Sequence, residues 1–87
     1  MDKETFLDEL DHDGFTQRVV VTRAAGLLPD HAHPFEARAL ILSGDIEIVV
    51  DGQRRTYRTG EVFRLAAGQR HEERYGADGV QYLVGRR

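Results

Sequence analysis

The chain has 87 residues, of which 40% are hydrophobic and 31% charged. The hydrophobic fraction suffices for one compact core and is too high for an intrinsically disordered chain. The absence of cysteine excludes disulfides, thiolate metal sites and a cysteine nucleophile, and no apolar run is long enough for a membrane-spanning helix. The formal net charge of −3 leaves no basic footprint for a nucleic-acid partner, so the chemistry must come from His, Asp, Glu, Tyr, Arg or a bound ion.

The first segment of the chain is predicted to be a short helix over residues 2–12. Phe6, Leu7 and Leu10 form one apolar stripe, and Asp2 can cap the start of the helix. A helix of this length needs packing against the rest of the chain to persist. The acidic start lacks the basic and then apolar profile of a signal peptide, so we expect a cytoplasmic protein.

From Phe15 onward the sequence is typical of short strands separated by glycine turns. Asp51-Gly52 is a strong hairpin signal, because both central positions of a type I′ turn favour a positive φ. Turns at this spacing indicate an antiparallel sandwich or barrel. Seven candidate strands follow one another, at residues 18–22, 37–42, 45–50, 55–58, 62–65, 71–75 and 80–84.

Three of the four histidines are candidates for a metal site. His31 and His33 are two residues apart, and a strand would place both rings on one face, where they can bind one ion. Residues 26–30 are interpreted as a turn before this pair, and His71 also follows a turn. Residues that open two strands at the same end of a small barrel can face each other across its mouth. We therefore expect the three rings to meet there. Imidazoles without thiolates suit a divalent transition metal ion such as Fe, Ni, Zn or Cu. The alternative is a set of hydrogen-bonded histidines without metal, and His12 is expected on the surface.

Two motifs around these histidines resemble those of the cupin superfamily. Gly26-x4-His31-x-His33-x3-Ala37-x6-Gly44 is similar to the first cupin motif, G-x5-H-x-H-x3,4-E-x6-G, and Gly60-x5-Ala66-x-Gly68-x2-His71-x3-Tyr75 is similar to the second, G-x5-P-x-G-x2-H-x3-N. The resemblance implies an all-β jelly-roll barrel over residues 15–87, preceded by a helical segment over residues 1–14. It also implies a metal ion held by His31, His33 and His71.

The first motif departs from the family pattern at its carboxylate ligand, which falls on Ala37. Glu36 is adjacent, but an offset of one residue turns its side chain to the other face of the strand unless a bulge intervenes. Ala66 replaces the proline of the second motif, and Tyr75 replaces its asparagine. The sequence therefore predicts a three-histidine site with at least one open position for water or substrate.

Strand parity extends the predicted site beyond the histidines. If His71 faces inward, so do Glu73 and Tyr75, and Glu73 becomes a candidate general acid or base, or a fourth metal ligand. A frayed strand would instead leave Glu73 in solvent. Tyr75 is interpreted as a core or rim aromatic. The same parity predicts an inner wall of Phe35, Ala37, Ala39 and Ile41, which favours a small, partly hydrophobic ligand.

The arginines are interpreted as surface residues. Arg54, Arg55 and Arg58 lie on a predicted hairpin, and Arg86-Arg87 ends the chain. No binding role is assigned to either group.

Two functional hypotheses remain open. The resemblance implies metal-dependent chemistry on a small organic substrate, of the dioxygenase or isomerase type, with Glu73 as proton shuttle. The alternative is a non-catalytic domain that binds or senses a small molecule, with or without metal. A barrel of this size is marginal alone, so we expect a homodimer, through either the strand at residues 18–22 or the helix. We expect no nucleic-acid or membrane partner.

Overall fold

The protein, described here by a computed structural model of residues 1–87, consists of one helix and six antiparallel strands. In chain order the elements are α1 (Lys3–His12), β1 (Gln17–Arg23), β2 (Gly26–His31), β3 (Ala37–Val50), β4 (Gln53–Arg58), β5 (Val62–Leu65) and β6 (His71–Arg86). No helix has the length and apolar character needed to cross a membrane. The predicted all-β fold with a short N-terminal helix is confirmed.

The two long strands, β3 and β6, organise the barrel. The first half of β3 pairs with the last half of β6, and β5 and β1 extend this layer on its two sides. The second half of β3 pairs with the first half of β6, and β4 and β2 extend that layer in the same way. Both long strands therefore cross from one layer to the other, which closes the sheet around a single core.

The prediction of seven strands was wrong in how it divided the chain. Residues 37–42 and 45–50 belong to one strand, as do residues 71–75 and 80–84. The glycines between these predicted segments lie at shifts in register and not at strand ends. Such an irregularity bends a strand while its pairing continues on both sides. Residues 26–30, predicted as a turn, form most of β2. The Asp51-Gly52 turn is confirmed, with φ values of 51° and 76°.

Helix α1 covers the outer face of one layer. Asp2 caps it, since its Oδ1 accepts a hydrogen bond from the Thr5 amide at 2.8 Å. The buried residues of the predicted stripe, Phe6 and Leu10, join an apolar cluster with Phe15, Leu40 and Leu83. The helix thus packs on its own barrel.

The main core lies between the two layers and contains the predicted inner wall. Ala37, Ala39 and Ile41 of β3 are buried there. From β6, the alternate residues Val80, Tyr82 and Val84 face the same core. It is completed by Ile46, Ile48, Phe63 and Leu65.

Candidate metal centre

The pairing of β2 with β6 brings His31 and His71 together. His31 ends β2, and its partner in the antiparallel register is His71, the first residue of β6. The two rings are therefore neighbours within one layer, with centroids 4.3 Å apart. The sequence predicted that the rings would face each other across the barrel mouth, and that geometry was wrong. The missing information was the pairing partner of residues 26–31.

His33 reaches the same point by a different route from the one predicted. It does not share a strand with His31, because β2 ends at His31. Pro34 follows and cannot donate a ladder hydrogen bond, so the strand does not continue. The Nε2 atoms of His31 and His33 nevertheless lie 3.2 Å apart.

Glu73 is the fourth member of this cluster. Its side chain points inward, and the residue is only 5% exposed. Its Oε2 lies 3.1 Å from Nε2 of His31 and 3.2 Å from Nε2 of His71. The alternative of a solvated Glu73 was therefore wrong, since the paired strand β6 keeps its inward parity over this stretch. One ligand atom from each of His31, His33, His71 and Glu73 lies within 4.8 Å of all the others.

Two histidines are held in the tautomer that a metal requires. Nδ1 of His31 lies 2.7 Å from the Pro29 carbonyl oxygen, and Nδ1 of His71 lies 3.0 Å from the Gln69 carbonyl oxygen. A carbonyl can only accept, so each Nδ1 carries the hydrogen that it donates. In a neutral ring the Nε2 lone pair is then free and points into the cluster. Metal-bound histidines are typically oriented by such hydrogen bonds from their second nitrogen.

The shorter separations among these atoms match those around one small cation. Ligand atoms at about 2.1 Å around a tetrahedral ion lie about 3.4 Å from one another. The three short separations in the cluster, 3.1 to 3.2 Å, are close to that value. Three imidazole nitrogens and one carboxylate oxygen are a donor set that suits a borderline divalent transition metal.

The cluster perturbs the pKa values of its members. Burial lowers the pKa of His71, but the hydrogen bonds to Glu73 and to the Gln69 carbonyl outweigh it, and the pKa is raised. Burial raises the pKa of Glu73, but His71 and the charge of His31 hold it below its usual value. The pKa of His33 is lowered by burial and by its two histidine neighbours. Both shifts favour the charged forms, so without a metal they favour an ion pair between a protonated His71 and Glu73.

Of the other candidate residues, Tyr75 contacts the cluster and Glu36 does not. The Tyr75 hydroxyl donates to Oε1 of Glu73 at 3.3 Å and orients the carboxylate. Burial and the charge of Glu73 raise the pKa of Tyr75, so the phenol stays protonated. Glu36 turns away, because its Oε1 accepts a hydrogen bond from Nε of Arg87 at 2.8 Å. Glu36 is thereby removed as a fourth ligand, and His12 is exposed as predicted.

A small cavity of about 40 Å³ adjoins the cluster. Of the residues predicted to line a pocket, Phe35 and Ala37 lie at this cavity and Tyr75 does not. The sequence analysis missed Arg86, which also lines this cavity although it was assigned to the surface. The signal was available, because Arg86 continues the inward-facing row Val80, Tyr82 and Val84 at period two. The remaining lining residues are His33, Phe63, Leu65, Glu73, Tyr82 and Val84.

Residues 18–81 match the family model described as Cupin domain (Cupin_2). The chain belongs to the cupin family. The match contains both histidine motifs, so it agrees with the resemblance noted in the sequence. No curated protein matches this cupin.

Solved structures with the same fold include proteins of varied description. The EutQ protein of Clostridium difficile superposes with a TM-score of 0.72 at 13% identity, covering 79% of this cupin and 53% of EutQ. A DUF861 family protein of Thermotoga maritima (tm1112) gives 0.71 at 14% identity, covering 90% and 88%. The DMSP lyase DddQ of Ruegeria pomeroyi gives 0.71 at 29% identity, covering 80% of this cupin and 36% of DddQ. The chain thus spans about half of EutQ and about a third of DddQ.

Proposed function

We propose that this cupin binds one divalent transition metal ion through His31, His33, His71 and Glu73. The observation that carries the proposal is the orientation of His31 and His71. Both rings donate Nδ1–H to a backbone carbonyl and direct Nε2 towards one carboxylate oxygen of Glu73. Lone pairs on neutral rings and a carboxylate repel one another unless a proton or a cation lies among them. A divalent ion would satisfy all four groups at once.

Glu73 would supply the carboxylate that Ala37 lacks. Its Oε2 lies among the histidine nitrogens, while its Oε1 accepts the Tyr75 hydroxyl. This division of the two oxygens favours the role of metal ligand over that of proton shuttle. A bound ion would act as a Lewis acid that polarises a small substrate. Tyr75 would hold Glu73 in place, and the buried face of His71 would keep water from that side of the cluster.

The reaction class that we propose is metal-dependent dioxygenase or isomerase chemistry. The 29% identity with the DMSP lyase DddQ adds elimination as a related class. A non-catalytic role in binding a small molecule is the second candidate, and the cavity favours it. Its volume of about 40 Å³ does not enclose an organic substrate. Oxygen consumption by the metal-loaded protein with thiols, β-diketones and aromatic diols tests the dioxygenase role, since turnover requires catalysis.

We also propose that this cupin forms homodimers. The support comes from β1 and β2, two of the edge strands, which pair only with β6. Val20 on β1 is 52% exposed and Leu27 on β2 is 56% exposed. Edge strands with exposed apolar residues are disposed to associate with another chain.

Metal binding is tested by titrating untagged, chelator-treated protein with Zn²⁺, Ni²⁺, Fe²⁺ or Cu²⁺ and measuring bound metal per chain. We expect one ion per chain. In His33→Ala the affinity should fall by at least ~100-fold, because loss of a ligand exceeds the ~10–100-fold effect of an outer-shell change. His33 is half-buried and lies outside the strands, so this variant should keep the circular dichroism spectrum of the parent.

His12→Ala is the matched control, since His12 is exposed on α1, away from the other three histidines. It should bind metal as the parent does. Uptake below about 0.1 ion per chain for every metal would contradict the proposal, because a structural site of this kind binds tightly. Equal affinity in His33→Ala and His12→Ala would place the metal elsewhere.

The role of Glu73 is tested by Glu73→Gln, which keeps the shape of the side chain and removes its charge. As a ligand, Glu73 contributes directly to affinity, so we expect metal binding to weaken by ~10–100-fold or more. Isothermal titration with the metal found above measures the change. Unchanged affinity together with lost turnover would assign Glu73 to proton transfer.

A further inference from the structure

We infer that Arg86 makes this site a receptor for the carboxylate group of a small anionic ligand. The inference deepens the proposed function, on which it rests, by naming the class of ligand. It starts from the position of Arg86 in the sheet. Arg86 and Ala37 are partners in the antiparallel register of β6 and β3, so their side chains share the inner face. The guanidinium therefore stands beside the small residue that lines the cavity.

Arg86 lacks the partners that the neighbouring arginines have. Arg87 donates to Glu36, and Arg38 donates to Asp13 at 2.5 Å. No ion pair includes Arg86. The Nε atoms of Arg38 and Arg86 are both buried without a hydrogen-bond partner, but only the Arg38 guanidinium has a partner through another nitrogen. A buried donor of this kind costs free energy unless a ligand or water meets it, so the missing partner is most simply an acceptor inside the cavity.

Aromatic contacts hold the guanidinium at the cavity. Its central carbon lies 4.8 Å from the centroid of the Phe35 ring. Phe35 in turn stacks on His33, with centroids 5.0 Å apart and planes at 18°. Arg86, Phe35 and His33 thus form one stack. This stacking limits the orientations that the N–H donors of the guanidinium can adopt.

The cavity selects for a flat anionic group. Its volume of about 40 Å³ is far below the ~300–1,000 Å³ of ordinary small-molecule sites, so only a small group of the ligand fits inside it. A planar carboxylate presents two oxygens in the geometry of the guanidinium fork. A tetrahedral phosphate needs more room. Phe35 and His33 are half-buried, so the remainder of the ligand can extend past them towards solvent.

The charge of Glu73 makes ligand binding depend on the metal. Glu73 lines the same cavity and repels an anion. A divalent ion held by the cluster would reverse the sign of the local charge, and Arg86 would add to it. We therefore expect a carboxylate to bind the metal-loaded protein more tightly than the metal-free protein.

The test uses propionate and inorganic phosphate as probes, titrated into zinc-loaded protein and followed by the amide signals of ¹⁵N-labelled chain. Propionate should bind the parent, and Arg86→Gln should weaken it at least ~10-fold, since a charge-assisted bidentate pair is lost. Bound zinc per chain should stay the same in this variant. Arg55→Gln is the matched control, because Arg55 also stacks on an aromatic ring, 5.0 Å from the Tyr57 centroid, and also forms no ion pair. It should bind propionate as the parent does.

The metal-free Glu73→Gln protein separates this inference from the metal proposal. Without the carboxylate of Glu73, Arg86 should bind propionate in the absence of metal, and Glu73→Gln/Arg86→Gln should not. Failure to load zinc, Ni²⁺, Fe²⁺ and Cu²⁺ alike would overturn the proposed function, and this pair would still decide the role of Arg86. Equal propionate affinity with and without Arg86, loss of binding in Arg55→Gln alone, or tighter binding of phosphate would overturn the inference.

Discussion

Replacing Gly44 with alanine is expected to lower the free energy of unfolding by about 2–5 kcal/mol. The left-handed backbone conformation accounts for ~1–2 kcal/mol of this loss. Overpacking by the added Cβ accounts for ~1–3 kcal/mol. Gly44 lies at the bend of β3, where its φ is +73° and its register partner is Val80. A Cβ at this position would overlap the carbonyl oxygen of Gly79 and lie 3.0 Å from the Cα of Val80. Both obstacles are backbone atoms, which cannot rotate away.

Gly52→Ala provides the control for the backbone cost. Gly52 has nearly the same φ, +76°, but no atom lies within 4 Å of an added Cβ. It should lose only the ~1–2 kcal/mol of the left-handed conformation. Urea unfolding followed by far-ultraviolet circular dichroism measures both variants. If Gly44→Ala lost no more stability than Gly52→Ala, close packing of the two long strands at the bend would be refuted.

Replacing His71 with alanine is expected to affect both metal binding and stability. Metal affinity should fall by at least ~100-fold, because a ligand is removed. The metal-free protein should lose about 3 kcal/mol, since Glu73 would keep a buried charge without the buried imidazole that pairs with it. His71 is 1% exposed, and its Nε2 lies 3.2 Å from Oε2 of Glu73. Metal titration and urea unfolding of the metal-free protein measure the two effects.

The stability effect of His71→Ala should depend on pH in a defined way. Glu73 has a lowered pKa, so its contribution is present above its ordinary value of 4.5 and is lost as the pH falls. His71 has a raised pKa, so its contribution is present below its ordinary value of 6.5 and is lost as the pH rises. The difference between parent and variant should therefore be largest between pH 4.5 and 6.5. A difference that did not change with pH would point to lost packing instead.

Much of the candidate site could be predicted from residue spacing. The motif spacing singled out His31, His33 and His71, which lie together in the structure. Parity along a strand placed Glu73 beside them as a candidate, since alternate residues share a face. The same parity reaches Arg86, which was assigned to the surface because of its place at the end of the chain.

The route by which the histidines meet could not be predicted. Residues 26–31 contain glycine and proline, which favour a turn, yet they pair with β6. Pairing is a contact between distant parts of the chain, and local propensity does not specify it. The geometry inferred from a shared strand for His31 and His33 was therefore wrong, although the two rings lie together.

The sequence by itself determined the alternation of apolar residues, the glycine turns and the kind of metal ligands available, which offer only nitrogen and oxygen atoms. These features depend on residue type and local spacing. Only the tertiary structure decided which strands are neighbours. That decision buried Glu73 among the histidines and directed Arg86 into the cavity beside Ala37. Both placements follow from the register of β6 against β2 and β3, which sums many weak contacts over the whole sheet.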